Sequence, residues 1–430
     1  MIYNMQTIKI VPLQKPVKSE ISIPGSKSYT NRALLLAAIT KKSVKILNPL
    51  ISDDTKAMLE CLKVIGVKIK VNDNSIEVIN SIRTNANSSY NLDVNESGTT
   101  MRFILAISTL IPGVKTLYGK KGLNKRPIED LAEGLKKLGA KIEYLDKKGY
   151  PPVRISSATL HPGTFRISGS ISSQYISALL MIAPLIGGKI TIEVFGNQIS
   201  KPYIDMTIDI MRQFKVIVSN EKYKKYTIPA NQKYDISKFN IEGDVSSASY
   251  FFAIAALTKS ILTVKNINPH SVQADMEFIK ILEKMGNEIT YGKNQITIHG
   301  KGIEPVSVNM QDCPDQIQTL AVLAAFANGK TKISGTGSLR LKETDRIAAL
   351  KNELKKMGIT VSSTQNTLIV HGGHPKPARI DTYGDHRMAM SFAVASCKIP
   401  DMEIKNPEVT SKTYPQFWED LKKITKIQKI

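Results

Sequence analysis

Apolar positions along this chain fall into two alternating patterns, and their recurrence predicts the architecture. In the first, a helical stretch ends in glycine and runs straight into a β-branched strand. LKVIGVKI at Gly66, LKKLGAKI at Gly139, LEKMGNEI at Gly286 and LKKMGITV at Gly358 share it, while MRQFKVIV has Lys215 and LKKITKI has Thr425 in that place. Glycine suits the position because the residue after the last helical turn takes a left-handed conformation that a Cβ opposes. Successive copies lie 67 to 76 residues apart.

The second pattern is a set of small, apolar helical runs, starting at Ala33, Phe103, Ile176, Tyr250, Leu320 and Ala389 and spaced 69 to 74 residues apart. Apolar on nearly every side, they predict helices buried inside a domain. Two series in phase predict six repeats of mixed helix and strand along the whole chain. The expected fold class is α/β (α+β), as two similar globular domains of three repeats each. The third repeat closes near NIEGD, so the chain is expected to cross between domains near Glu242. One domain would then take residues 25–242, and the other residues 1–24 with 243–430.

Composition narrows the function. Three cysteines (Cys61, Cys313, Cys397) lie far apart with no paired spacing, which predicts reduced thiols and no zinc site. The N-terminal MIYNMQTIKIVPLQKP has no apolar core of signal-peptide length, and no apolar run is long enough to span a membrane. A cytoplasmic protein is expected. The net charge of +22 fits either a nucleic-acid surface or an enzyme that handles small polyanions. Lysines are scattered without a long basic run, and aromatics make up only 6%, which weighs against nucleic acid. His371, His374 and His386 lack an acidic partner at ligand spacing, so no metal is expected.

Candidate chemistry gathers in what precedes each apolar run. The six lead-in segments are GSKSYTNR, ESGTTMR, SGSISSQY, EGDVSSAS, DCPDQIQT and YGDHRM. Their Ser, Thr, Asp and Gly are helix-capping residues, and helix N-termini bind phosphate and carboxylate. Singly, each reads as plain capping. Lys27 and Arg32, Arg102, and Arg387 add cations beside three of the caps and tip the reading toward anion binding. NKRPIEDL contributes Arg126 and SKTYPQF contributes Lys412. RLKETDRIAAL sets Lys342, Glu343, Asp345 and Arg346 within an expected turn and a half of helix, which fits a solvated salt-bridged face as well as a charged site.

These residues carry a resemblance. GSKSYTNRALLLAA, ESGTTMRF, KRPI, SSQYISALLMIAPL, SKPYID, EGDVSSASYFFA, PDQIQTLAVLAAFA, LKETDRI, GDHRMAM and SKTYP occur in the order found in the 5-enolpyruvylshikimate-3-phosphate synthase family of enolpyruvyl transferases. It runs from about Lys15 to Trp418. It implies two domains of three βαβαββ units with helix starts facing an interdomain cleft. It further implies a monomer that needs no cofactor and takes phosphoenolpyruvate and shikimate 3-phosphate, with no nucleic-acid or membrane partner.

Carried over by position, the resemblance gives Lys27, Ser28, Arg32, Ser172, Ser173, Gln174, Ser200, Tyr203, Asp315 and Lys342 to shikimate 3-phosphate. Lys27, Gly98, Thr99, Arg126, Gln174, Arg346, Arg387 and Lys412 are given to phosphoenolpyruvate. Asp315 and Glu343 are implied as the acid/base pair, with Lys27 and His386 close to the chemistry. Glu96 departs from the asparagine common among relatives, and Phe103 from a loop proline or leucine found in some of them. UDP-N-acetylglucosamine enolpyruvyl transferases share the fold, but they carry a reactive cysteine where this chain has GKKGLNKRPIED, and asparagine where it has Ser28. A basic repeat protein that binds nucleic acid is the non-enzymatic alternative.

Overall fold

The computed structural model describes residues 6–82 and 88–430. The chain divides into two compact units. An inserted unit spans Gly25–Ile241, and a flanking unit combines the residues up to Pro24 with Glu242–Ile430. Each has a hydrophobic core of its own.

Among the described residues there are twelve α-helices. The inserted unit holds α1 (Lys27–Ile39), α2 (Asp53–Val64), α3 (Gly98–Ser108), α4 (Glu129–Lys137), α5 (Ser173–Ile182) and α6 (Pro202–Gln213). The flanking unit holds α7 (Val245–Thr258), α8 (Met276–Lys284), α9 (Ile317–Ala324), α10 (Arg346–Lys356), α11 (His386–Ser396) and α12 (Phe417–Lys422). No helix among the described residues is long and apolar enough to cross a membrane.

The odd-numbered helices are the buried ones. Ala33 to Ala38 of α1 are wholly inside, as are Phe251 to Ala256 of α7. In the flanking unit α7, α9 and α11 pack on one another, and in the inserted unit α3 packs on both α1 and α5. Burying each Leu, Ile or Phe side chain contributes about 1.5–3 kcal/mol. Phe103 stands in α3, fully buried.

Among the described residues the strands form six four-stranded sheets with one shared order. In the second repeat Ser89–Asp93 runs parallel to Val114–Tyr118, which pairs antiparallel with Val153–Ser156, and that strand with Lys141–Tyr144. Strands such as Gln295–His299 alternate between buried and half-buried positions, the signature of a sheet with one face on the core.

The repeats are not closed by consecutive sequence. Lys238–Asn240, at the supposed end of the third repeat, lies parallel to Val44–Leu47 as the opening strand of the first repeat's sheet. In the flanking unit, Lys18–Ser22 opens the sheet of Ile261–Lys265, and Thr7–Ile10 sits between Glu403–Lys405 and Ile427–Lys429.

The helix-ending glycines take positive φ, from +77° at Gly358 to +108° at Gly139, and Lys215 adopts the same conformation at φ 70°. Thr425 is not among the left-handed residues. The last copy instead closes by its amide donating to Leu421 O at 3.1 Å.

Candidate active site

The lead-in segments become the N-termini of the buried helices. Ser26, Ser97, Ser172, Asp244 and Asp385 cap α1, α3, α5, α7 and α11, each with its side chain accepting from a backbone N–H. Starting the helices on these residues sets Lys27, Gly98, Ser173 and His386 at first helical positions, where free N–H groups favour anions.

In the inserted unit, Lys27 Nζ meets Asp54 Oδ2 at 3.1 Å. Gly98 lies under two guanidinium groups: a Cβ there would stand 2.4 Å from Arg102 Nη1 and 2.7 Å from Arg126 Nη2. Arg102 donates to Gly98 O at 2.9 Å and to Pro127 O at 3.0 Å, and Tyr175 Oη donates to Pro127 O at 2.6 Å. The carbonyl of Pro127, next to Arg126, is thereby held by two donors. Gln174 Nε2 donates to Thr99 Oγ1 at 3.2 Å and joins the starts of α3 and α5. Ser200 precedes α6 in a left-handed conformation, φ 55°.

Arg32 is held on several sides. It is 2% exposed, and its donors reach Thr207 Oγ1 at 2.7 Å, Ser28 O at 3.1 Å, Tyr203 O at 3.1 Å and Ser177 Oγ at 3.5 Å. Phe103 lies beneath it, 5.3 Å from guanidinium carbon to ring centre. Burial pulls its guanidinium down to about 10, which leaves it charged at neutral pH. Arg32 thus ties together the backbones of Ser28 and Tyr203.

In the flanking unit the sequence-predicted charges form one cluster. Asp315 Oδ2 accepts from Arg387 Nη2 at 2.8 Å, and its Oδ1 lies 3.5 Å from Arg346 Nη1. Glu343 Oε2 accepts from Arg346 Nη2 at 2.8 Å, and Lys412 Nζ is 4.0 Å from Glu343 Oε1. Asp385 Oδ2 accepts from Arg346 Nε at 2.7 Å while its Oδ1 caps α11 through Arg387 N at 2.9 Å. Burial works against the charge of Arg346, but Asp385, Glu343 and Asp315 outweigh it and hold the group more firmly protonated than usual. His386 is buried, its Nδ1 3.7 Å from Asp385 Oδ1.

Lys342 to Asp345 are not helical, contrary to the turn and a half expected from spacing. A 3-10 helix ends at Leu341, and α10 begins at Arg346 with Asp345 as its cap, accepting from Ile347 N and Ala348 N. A capping aspartate out-competes helix continuation here. The result lifts Glu343 off the solvated face onto Arg346. Sequence reasoning missed three structural partners: Asp54, Asp385 and Tyr175. Asp385 had a visible signal as the acid opening GDHRM, and Asp54 and Tyr175 had none. Among the described residues no group of His, Cys, Asp and Glu has the makings of a metal site.

Comparison with known proteins gives a consistent picture. Residues 11–421 match the family model described as EPSP synthase (3-phosphoshikimate 1-carboxyvinyltransferase). A 3-phosphoshikimate 1-carboxyvinyltransferase of Colwellia psychrerythraea is 41% identical, with 98% of this chain and 100% of that one aligned. One from a Sulfurovum species is 40% identical over the same shares. Among solved structures, EPSP synthase from Acinetobacter baumannii superimposes with a TM-score of 0.82 at 26% identity, covering 99% of this chain and 100% of that one.

Proposed function

The chain belongs to the EPSP synthase family, and on that premise we propose how its residues move the carboxyvinyl group of phosphoenolpyruvate to the 5-hydroxyl of shikimate 3-phosphate. The reaction, part of the shikimate pathway to aromatic amino acids, releases phosphate. The observation that carries the proposal is the cluster of Arg346, Arg387 and Lys412 around two carboxylates, Asp315 and Glu343.

Shikimate 3-phosphate is assigned Lys27, Ser28, Ser172, Ser173, Gln174, Ser200 and Tyr203 from the inserted unit, and Asp315 and Lys342 from the flanking unit. Arg32 is assigned to it as well, and also fixes the backbones of Ser28 and Tyr203. Phosphoenolpyruvate is assigned Lys27, Gly98, Thr99, Arg126 and Gln174, with Arg346, Arg387 and Lys412. Arginine suits that ligand because its planar fork meets carboxylate and phosphate oxygens two at a time.

Chemistry proceeds by addition and elimination. Asp315 takes the proton of the 5-hydroxyl as its oxygen attacks C2 of phosphoenolpyruvate, and Glu343 gives a proton to C3. The tetrahedral intermediate then expels phosphate, which takes up the proton held by Asp315, and Glu343 recovers a proton from C3. Both steps are general acid/base catalysis, with developing charge met by the fixed cations. The rival acceptor, a UDP-N-acetylglucosamine, is not favoured: Cys61, Cys313 and Cys397 are all buried, and the loop from Gly119 to Asp130 has no thiol. The three free thiols also support a reducing, cytoplasmic setting, in which we take the enzyme to act as a monomer.

The direct test is phosphate release. It should require phosphoenolpyruvate and shikimate 3-phosphate together, and release with phosphoenolpyruvate and UDP-N-acetylglucosamine instead would overturn the reading. A second expectation concerns Gly98→Ala. The added methyl displaces the far ends of Arg102 and Arg126, which are flexible, so the fold should survive. KM for phosphoenolpyruvate should rise roughly tenfold or more, the worth of one charge-assisted hydrogen bond, with kcat much less affected. An unchanged KM in steady-state assays would show that neither guanidinium bears on that substrate.

A further inference from the structure

Among the six buried helices α9 alone starts without a side-chain cap, yet the Pro314–Gln316 turn before it carries Asp315. A second acidic side chain, from another repeat, holds that turn. Asp275 immediately precedes α8, but its side chain makes no capping hydrogen bond there. It is 2% exposed, and its bonds run elsewhere. Oδ1 accepts from Gln316 Nε2 at 3.1 Å and lies 3.6 Å from the donating Cys313 thiol. Oδ2 accepts from Ser246 Oγ in the first turn of α7. Gln316, fully buried, uses its carbonyl end to accept from Ser249 Oγ at 2.6 Å. Residues on both sides of Asp315 are thereby anchored, while the Asp315 carboxylate itself engages Arg387 and Arg346.

We infer that Asp275 is a positioning residue for the reaction: it fixes the turn from Cys313 to Gln316, and so aims the Asp315 carboxylate, without touching either substrate. The inference rests on the reading of Asp315 as the base. A buried hydrogen-bonding group could instead merely support the fold. Two features speak for positioning. Asp275 forgoes the cap of its own helix, and two of its three hydrogen-bond partners flank Asp315. The charged groups bearing on it are Asp315 and Arg387. Burial, and then Asp315, push its carboxyl up, so asparagine, which copies the neutral acid, is the conservative replacement.

A double-mutant cycle on the full-length enzyme tests this. Asp275→Ala should lower kcat about 10- to 100-fold, as a small misplacement of a reacting group does. KM for both substrates should stay within about twofold, the scatter expected of independent sites. Asp275→Asn should recover most of the loss. In an Asp315→Asn background, Asp275→Ala should cost no more than about a further twofold, because the group it aims is already gone. A loss of equal size in both backgrounds would make Asp275 a structural residue only, and an undiminished kcat in Asp275→Ala would also overturn the inference. If Asp275→Ala does not fold, Gln316→Ala carries the same cycle. Full kcat in Asp315→Asn alone would remove the base reading and the inference with it, a result separable from simple additivity.

Discussion

Asp315→Asn should lower turnover by roughly 10²–10⁴-fold, the usual worth of a positioned acid/base group. The carboxylate lies between two guanidiniums, 2.8 Å from Arg387 Nη2 and 3.5 Å from Arg346 Nη1, so each oxygen faces a donor. An amide offers one acceptor and one donor, and its NH₂ must face a guanidinium. Some local repulsion follows, but the larger loss is chemical, because no group then takes the proton of the 5-hydroxyl. Substrate affinity should change far less, since the proposal gives it to Ser28, Ser172, Gln174 and the arginines. Single-turnover kinetics with calorimetry of shikimate 3-phosphate binding would separate the two. Turnover within tenfold of the parent, at unchanged affinity, would exclude Asp315 as the base.

Much of this arrangement was legible in the sequence because its causes are local. A left-handed residue after a helix selects glycine, so the repeat shows at Gly66, Gly139, Gly286 and Gly358. Lys215, at φ 70°, keeps the geometry with the wrong residue, and only the spacing reveals it. Caps are local too, and Ser26, Ser97, Ser172, Asp244 and Asp385 all stand in segments that composition alone singled out.

What stayed hidden depends on pairing across long separations. Nothing in KFN at 238–240 says that it will pair with Val44–Leu47, nearly two hundred residues earlier. Arg32 stands beside a cap, but the partners of its side chain could not be seen there. Its guanidinium reaches Thr207, Ser177 and Tyr203, which are distant in sequence and gather only when α6 packs against both α1 and α5. Spacing also misled at Lys342 and Arg346. Four residues apart suggests neighbours on one helix face, but the capping preference of Asp345 starts the helix later and turns Glu343 toward Arg346.

That placement of Glu343 sets up the sharpest mechanistic expectation. Glu343→Gln should lower turnover by roughly 10²–10⁴-fold, because the amide keeps the size of the side chain but has no proton to give to carbon. Glu343 is nearly buried, 13% exposed, with Oε2 2.8 Å from Arg346 Nη2 and Oε1 4.0 Å from Lys412 Nζ. The glutamine carbonyl can still accept from Arg346, so the cations assigned to phosphoenolpyruvate keep their places, and KM for that substrate should move little. Asp315→Asn and Glu343→Gln therefore share a kinetic phenotype and must be told apart by the atom they act on. In the proposed mechanism Asp315 serves the hydroxyl proton, whereas Glu343 serves the hydrogens of C3. In deuterated water the parent should incorporate deuterium at the C3 methylene through reversible protonation, and Glu343→Gln should slow that incorporation about as much as turnover. Mass spectrometry of recovered phosphoenolpyruvate reads the exchange directly. Should the variant exchange C3 hydrogens at the parent's rate, the carbon proton comes from another group, and Lys27 or His386 inherits the role.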